Sequence, residues 1–361
     1  MKKTIIFTGG GTAGHVFPGI AVLRCLQERW SGNILWLGSV NGMERGIIRR
    51  EALPFLGIPS GKLRRYLSFK NFLDLFWIFF GFVFSFFILL WKRPVLLFSK
   101  GGYVTVPPVI VSRLLNIPVI THESDFDPGL ANRINAPFAK RILTSFEETA
   151  SFLGPLLARR VICTGNPVRP VFEKADAAKG RAIVNCPESL PLVVVIGGSL
   201  GALAVNEAIE KILPQLADKC FIYHQMGAAN YHASHGRNYR TVAFVAGQME
   251  HILAAADCVI SRAGSNMLYE LAVLGKASIL IPLPTEGSRG DQLRNAAFFQ
   301  SKKAAYMICQ EKGFENQVLE KILFLLDNKE QRELLSSNIR ALARPEAAEK
   351  IAMILMDFMK E

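Results

Sequence analysis

Residues 3–30 constrain the fold more than any other stretch of the chain. Lys3 to Phe7 is a short, largely apolar and β-branched run, and Val16 to Trp30 carries apolar residues at helical spacing with Pro18 in its first turn. Between them lies Thr8-Gly-Gly-Gly-Thr-Ala-Gly-His15. Glycines let the backbone turn tightly where the strand hands over to the helix. They also leave amide N–H groups uncovered at the positive end of the helix dipole. The stretch therefore reads as an anion site, most simply for a phosphate, with the titratable ring of His15 at its mouth.

Asn33 to Leu37 is a second strand, which makes this opening the start of a doubly wound parallel sheet. Gly9-x-Gly11-x-x-Gly14 matches the dinucleotide fingerprint in form. A nicotinamide enzyme, however, needs an acid for the ribose at the end of the second strand, and Gly38-Ser39 stand there. No Gly-Lys-Ser/Thr follows, so the loop is not a P-loop either. Val95 to Phe98 is the next strand and leads into Gly101-Gly102-Tyr103. Ile117 to Thr121 is another and leads into His122-Glu123-Ser124-Asp125. Open α/β sheets bind ligands outside the carboxyl ends of their strands, so these three strand ends are expected to converge on one cleft.

Val161 to Pro170, rich in Pro and Gly, marks a boundary, after which the opening pattern returns. Leu192 to Ile196 is a buried strand, Gly197-Gly-Ser-Leu-Gly201 a glycine loop, and Ala202 to Leu213 a helix ended by Pro214. Ser199 and the amides around it form a second anion site at a helix start. Asp257 to Ser261 is a strand, Arg262-Ala-Gly-Ser265 its loop, and Asn266 to Leu274 a helix carrying Glu270. Ile279 to Pro282 reads as the last strand, and Thr285 to Gly290 is a polar loop before the helix that opens at Asp291-Gln292. At strand ends beside a phosphate loop, Arg262 and Glu270 suit a sugar-nucleotide role. Two such halves imply two Rossmann-like domains facing each other.

The formal charge is +12, which calls for an anionic partner: nucleic acid, an acidic membrane surface or polyphosphate ligands. Nucleic-acid binding accounts for the charge but not for paired glycine loops, so no nucleic acid is expected. Residues 43–71 hold seven Lys or Arg against Glu44 and Glu51, and the aromatic run Phe72 to Trp91 follows them. That run is long enough to span a bilayer, to be a core helix apolar all round, or to pack one face on the sheet and dip the other into lipid. Spanning would part the first glycine loop from strands it must pair with, so the monotopic reading is preferred. Six scattered cysteines without CxxC pairs read as reduced core residues of a cytosolic protein. Glycines cut the Lys2-Lys3-led apolar run too early for a secretion signal.

Gly10 to Pro18, Lys100 to Tyr103, His122 to Asp125, Gly165 to Arg169, Gly197 to Ser199, Ser261 to Gly264 with Glu270, and Asp291-Gln292 with Asn295-Ala296 occur in order across nearly the whole chain. Together they resemble the bacterial peptidoglycan N-acetylglucosaminyltransferases. The resemblance implies a GT-B fold, two Rossmann-like domains about a central cleft. Residues 1–165 would take the lipid-linked acceptor and 166–344 UDP-GlcNAc, with 345–361 crossing back to the first domain. It implies transfer of GlcNAc to undecaprenyl-pyrophosphoryl-MurNAc-pentapeptide, lipid I, at the cytoplasmic face of the inner membrane, by a peripheral enzyme on an anionic surface.

Carried over position by position, Gly197, Gly198 and Ser199 hold the donor diphosphate with Arg169 near it. Glu270 takes the ribose, Gln292 the GlcNAc hydroxyls, and the backbone at Val245, after a strand ending at Phe244, reads the uracil. Thr12, Ala13, Gly14, Asp125 and Ser265 complete the donor set, while Gly10, Gly11, Gly101 and Gly102 face the acceptor pyrophosphate. Ala13 replaces a frequent Gly, Asp125 a frequent Asn, and Asp291 a frequent Gln or His. Inverting transfer needs a base on the acceptor hydroxyl, for which His15 is the first candidate and Glu123 the second. A helix N-terminus with Arg169 meets the leaving charge, so neither a metal nor another cofactor is expected. The alternatives are a related GT-B enzyme acting on another membrane lipid such as diacylglycerol, and a non-catalytic nucleotide-sugar sensor.

Overall fold

The computed structural model describes residues 2–61, 69–198, 201–234, 236–245, 247–285 and 288–359, without the side chains of residues 69–73. The chain divides into two units, Met1–Arg169 with Glu346–Glu361, and Pro170–Pro345.

Unit 1 is built on a sheet of seven parallel strands: β1 (Thr4–Thr8), β2 (Asn33–Ser39), β3 (Phe55–Ile58), β4 (Leu96–Ser99), β5 (Val119–Glu123), β6 (Arg141–Thr144) and β7 (Val161–Cys163), in the order β3-β2-β1-β4-β5-β6-β7. A parallel sheet is covered on both faces, and its central strands are accordingly apolar without alternation. Phe7, Trp36 and Phe98 pack on one face with Val22 and Leu26 of helix Phe17–Gln27 and with Ile351 and Leu355 of helix Ala347–Phe358. Ile6, Leu37 and Leu97 pack on the other with Leu89 and Val109. Helix Ala347–Phe358 is thus part of the first core although it ends the described chain. It shares that face of the sheet with helix Phe17–Gln27.

Helix Phe69–Lys92 contains the one stretch among the described residues long and apolar enough to cross a membrane, Asp74–Lys92. Only a narrow stripe of it is covered. Gly81, Ser85 and Leu89 recur at four-residue spacing and are buried, and a Cβ on Gly81 would lie 3.4 Å from Pro107 of helix Val106–Leu114. Phe76, Trp77, Phe80, Phe84, Phe87 and Trp91 are exposed, the last two at 63% and 72%. A core helix apolar all round is therefore ruled out. Lys62, Arg64 and Arg65 of the basic run lie outside the described residues, as does the side chain of Lys70.

Unit 2 holds six parallel strands: β8 (Leu192–Ile196), β9 (Phe221–Gln225), β10 (Tyr239–Val242), β11 (Cys258–Ser261), β12 (Ser278–Leu280) and β13 (Tyr306–Met307), in the order β10-β9-β8-β11-β12-β13. Val195, Ile209, Ile222, Ile260, Ile279 and Ile322 anchor its core.

The structure corrects the expected boundaries. Helix Leu203–Leu216 runs through Pro214. Pro214 has no N–H to give the Glu210 carbonyl, so the last turn carries one ladder bond fewer, and the helix ends two residues later. β12 is not the final strand, because the two-residue β13 adds to its edge. β10 stops at Val242 rather than Phe244. β5 extends through His122 and Glu123, whose backbones pair with Leu143 and Thr144 of β6.

Candidate functional site

In unit 1 the strand order reverses between β1 and β4, and this switch point is where open α/β sheets take ligands. The glycine loops after both strands meet there. Gly102 has φ +90°, and a Cβ on it would stand 2.2 Å from the carbonyl oxygen of Gly10. A Cβ on Gly11 (φ +84°) would come within 2.8 Å of the Tyr103 ring. No other residue fits either position. Thr12, Ala13 and Gly14 lead through a 3-10 turn, Ala13–His15, and the Thr12 hydroxyl lies 2.9 Å from His15 Nδ1. Arg169 lies over the Phe17 ring at 5.4 Å from its centroid.

One expectation for this loop is corrected. Gly11 N–H is not open to an anion, because it donates to Glu44 Oε2 at 3.3 Å, while Oε1 accepts from Ser39 N–H at 2.8 Å. Glu44 is 0% exposed and lies against Gly10. A buried carboxylate under the loop cancels much of the positive potential that the helix start supplies.

At the end of β5, both oxygens of Glu123 are engaged. Oε1 accepts from Asp125 N–H at 2.9 Å, and Oε2 accepts from Gly129 N–H and Asn132 Nδ2, each at 2.8 Å. Glu123 thereby shapes the turn that carries Asp125. Asn132 in turn lies against Gly101, where a Cβ would be 2.9 Å from its Nδ2. His122 donates from Nε2 to the Gly165 carbonyl at 3.0 Å, so its Nδ1 accepts from Lys100 Nζ at 2.9 Å. Burial and the Lys100 charge hold the His122 imidazole neutral, well below its usual range.

In unit 2 the order reverses between β8 and β11, again beside a glycine loop. Gly198 and Gly201 have φ +90° and +80°. Ser199 lies outside the described residues. Gln225, at the end of β9, spans the site: its Nε2 donates to the Gly198 carbonyl at 3.0 Å and its Oε1 accepts from Val245 N–H at 2.9 Å. One neutral side chain thus ties the glycine loop to the segment expected to read uracil. Ser265 begins helix Ser265–Leu274, and Glu270 sits half-buried along it. Gln292, in the first turn of helix Asp291–Ser301, accepts from Leu283 N–H at 3.0 Å.

Arg262 has a structural role instead of the expected sugar-nucleotide one. It donates to the carbonyls of Ile281 and Pro282 at 3.0 and 3.2 Å and to Gln310, which pins the chain beyond β12. Burial pulls its pKa down to about 10.

Glu44, Lys100 and Gln225 were assigned no role by sequence reasoning. The signal each offers is a polar residue that ends a buried strand or opens a helix beside a glycine turn.

Two parallel-sheet Rossmann-like units, each with a glycine loop at its switch point, give the GT-B architecture. The chain matches the glycosyltransferase family 28 N-terminal domain over residues 5–144 and the family's C-terminal domain over residues 192–351. It belongs to glycosyltransferase family 28. Among its relatives is the UDP-N-acetylglucosamine--N-acetylmuramyl-(pentapeptide) pyrophosphoryl-undecaprenol N-acetylglucosamine transferase of Treponema denticola, 42% identical over 99% of this chain and 97% of that protein. A Bacillus cereus protein of the same name, numbered 2, is 41% identical over 91% of this chain and 93% of its own. The crystal structure of Acinetobacter baumannii MurG superposes with a TM-score of 0.75 at 25% identity, covering 98% of this chain and 99% of that one.

Proposed function

We propose that the protein transfers GlcNAc from UDP-GlcNAc to the C4 hydroxyl of MurNAc in undecaprenyl-pyrophosphoryl-MurNAc-pentapeptide, with inversion, and so supplies lipid II to peptidoglycan synthesis. The observation that carries this reading is the end-to-end 42% identity to the T. denticola transferase of that name. The donor belongs to residues 166–344, and the acceptor to residues 1–165 with the terminal helix.

His15 takes the proton of the attacking hydroxyl. The Thr12 hydroxyl, 2.9 Å from His15 Nδ1, orients the ring for this step. Glu123, with both oxygens engaged, orients the Asp125 turn rather than moving the proton. The leaving diphosphate is met by the amides of Gly197, Gly198 and Ser199 at a helix start and by Arg169. Val245 reads uracil through its carbonyl, since its N–H is held by Gln225. Glu270 accepts from the ribose hydroxyls, the Gln292 amide nitrogen donates to the sugar, and Ser265 with Thr12, Ala13 and Gly14 lines the donor. The acceptor pyrophosphate lies along Gly101 and Gly102 and the Gly10 side of the first loop, away from the Gly11 amide.

The exposed aromatic stripe of helix Phe69–Lys92, with Lys92 over the Trp91 ring at 3.6 Å, rests in the interface of an anionic bilayer. On this reading the enzyme is a peripheral protein of the cytoplasmic face of the inner membrane, and the exposed aromatic stripe supports that.

The deciding experiment is transfer of labelled GlcNAc from UDP-GlcNAc to a short-chain lipid I analogue, with a β1→4 product from the wild type. Donor binding without transfer to lipid I would reject the reading, and diacylglycerol would then be tried as acceptor.

A further inference from the structure

Three buried polar side chains cross the apolar core of unit 2 in one line: Tyr239 of β10, His224 of β9 and Asn206 of helix Leu203–Leu216. The Tyr239 hydroxyl lies 2.9 Å from His224 Nδ1, and His224 Nε2 lies 3.0 Å from Asn206 Oδ1. Asn206 Nδ2 donates in turn to the Met226 carbonyl at 2.9 Å. That carbonyl fixes the direction of the whole line, because it can only accept. Asn206 must give it Nδ2 and turn Oδ1 toward the ring. His224 then donates from Nε2, and its Nδ1, bare in a neutral imidazole, accepts from the Tyr239 O–H. Burial keeps the imidazole neutral, with its pKa lowered to about 4.

The line ends at the second glycine loop. A Cβ on Gly201 (φ +80°) would stand 2.1 Å from the Met226 carbonyl oxygen and 2.9 Å from Gly227 Cα, so the loop packs directly on the last acceptor. Met226 N–H donates to the Val242 carbonyl at 2.9 Å and Gly227 N–H to the Ala243 carbonyl at 3.0 Å, which extends the hold toward Val245. Asn206 itself stands in the first turn of the helix that the loop opens, its N–H bonded to the Ala202 carbonyl at 2.9 Å. A polar line in an apolar core is satisfied in one arrangement only, and that arrangement ties the helix start to the end of β9.

We infer that Tyr239, His224 and Asn206 are positioning residues for the donor nucleotide, a hydrogen-bonded relay that holds the second glycine loop in the form that receives the diphosphate. The inference rests on the proposed function for the identity of that ligand. Without the Tyr239 O–H, the His224 proton is no longer confined to Nε2. The Asn206 amide is then free to turn over and set its oxygen against the Met226 carbonyl, which loosens the contact with Gly201.

The test is a double-mutant cycle of Tyr239→Phe and Asn206→Ala in the full-length protein. It is read as the Kd for UDP by calorimetry, and as kcat and KM for UDP-GlcNAc and for the lipid I analogue. Tyr239→Phe removes only the O–H at the far end of the relay. It is expected to weaken UDP and raise KM for UDP-GlcNAc about fivefold, the worth of one hydrogen bond, with kcat and the lipid I KM within about twofold. In the Asn206→Ala background, where the relay is already cut, Tyr239→Phe changes donor affinity by less than about twofold. A fivefold loss in both backgrounds would make the two residues independent and overturns the inference. So does unchanged donor affinity in Tyr239→Phe, even with lowered thermal stability, because a merely structural tyrosine gives that pattern. If Asn206→Ala does not fold, His224→Leu cuts the relay at its middle and takes its place with the same expectation. UDP binding needs no turnover, so the cycle still decides if the wild type binds UDP, is inactive on lipid I and the functional reading falls. A wild type that binds no UDP overturns the inference together with that reading.

Discussion

Beneath the first glycine loop, in unit 1, a buried carboxylate accepts from Gly11 N–H, and a buried amine braces the neighbouring strand end. Beside the second, in unit 2, the bracing group is the neutral carboxamide of Gln225, which binds the Gly198 carbonyl and Val245 N–H. The backbones are alike and the supports are not. A carboxylate against a loop amide consumes a donor and offsets the helix-start potential, whereas a carboxamide on a carbonyl adds no charge beside its loop. The neutral support suits the diphosphate role proposed for the second loop. The charged supports suit the role proposed for the first loop, beside a sugar hydroxyl and its base. A glycine-rich turn does not by itself say which of the two it is.

This contrast breaks if substitutions at His15 or Glu44 act chiefly on donor affinity, or those at Gln225 on the chemical step. The largest effect is expected from His15→Ala, which lowers kcat by about 10²–10⁴ while KM for UDP-GlcNAc stays within about twofold. A large rise in donor KM instead would move His15 out of the base role. Next is Glu44→Ala, which strands the buried N–H of Ser39, returns the exposed Gly11 N–H to solvent, and costs about 1–3 kcal/mol in urea unfolding. A loss under about 0.5 kcal/mol would show that the loop does not depend on its buried acid. Gln225→Leu, close in volume, removes the acceptor of Val245 N–H and leaves the Gly198 carbonyl only its bond from Gly201 N–H, and it raises KM for UDP-GlcNAc about tenfold with kcat little changed. A fall in kcat at unchanged KM would refute the donor-side assignment.

The smallest expected effect is one the two units share. His122 and His224 are both buried and neutral, His122 with its pKa well below the usual range and His224 with its pKa lowered to about 4, in each case chiefly by desolvation. The unfolded chain protonates both near pH 6.5 and the folded chain does not. Their contribution to stability is therefore complete above that pH and is lost as pH falls toward about 4, where His224 also protonates in the folded state. Between pH 7 and 6 the expected loss is roughly 0.7 kcal/mol per histidine. Urea midpoints across this range measure it, and a flat profile would mean that at least one imidazole is charged when folded.

Much of the architecture was legible before folding because it is written locally. The apolar runs at Ile5 to Phe7 and Leu192 to Ile196, and the glycines after them, announce two parallel sheets with their turns. β13 was not legible. Two residues, Tyr306 and Met307, hold no periodicity, and they become a strand only because β12 offers an unpaired edge. Among the site residues, His15 and Glu123 stood out by position. What Glu123 does was hidden, since it depends on Gly129 and Asn132 presenting their N–H groups to it.

Spacing and composition follow the chain, and along it they were enough to establish the paired Rossmann-like halves, the strand ends that carry chemistry and the basic, aromatic segment before Lys92. Which groups neutralise, brace or block those strand ends was decided only when the sheets formed. Glu44 meets Gly11 from 33 residues away, Lys100 meets His122 from 22, and Gln225 meets Gly198 from 27. Electrostatic support depends on distance through space and on burial, and neither is defined until strands far apart in sequence become neighbours.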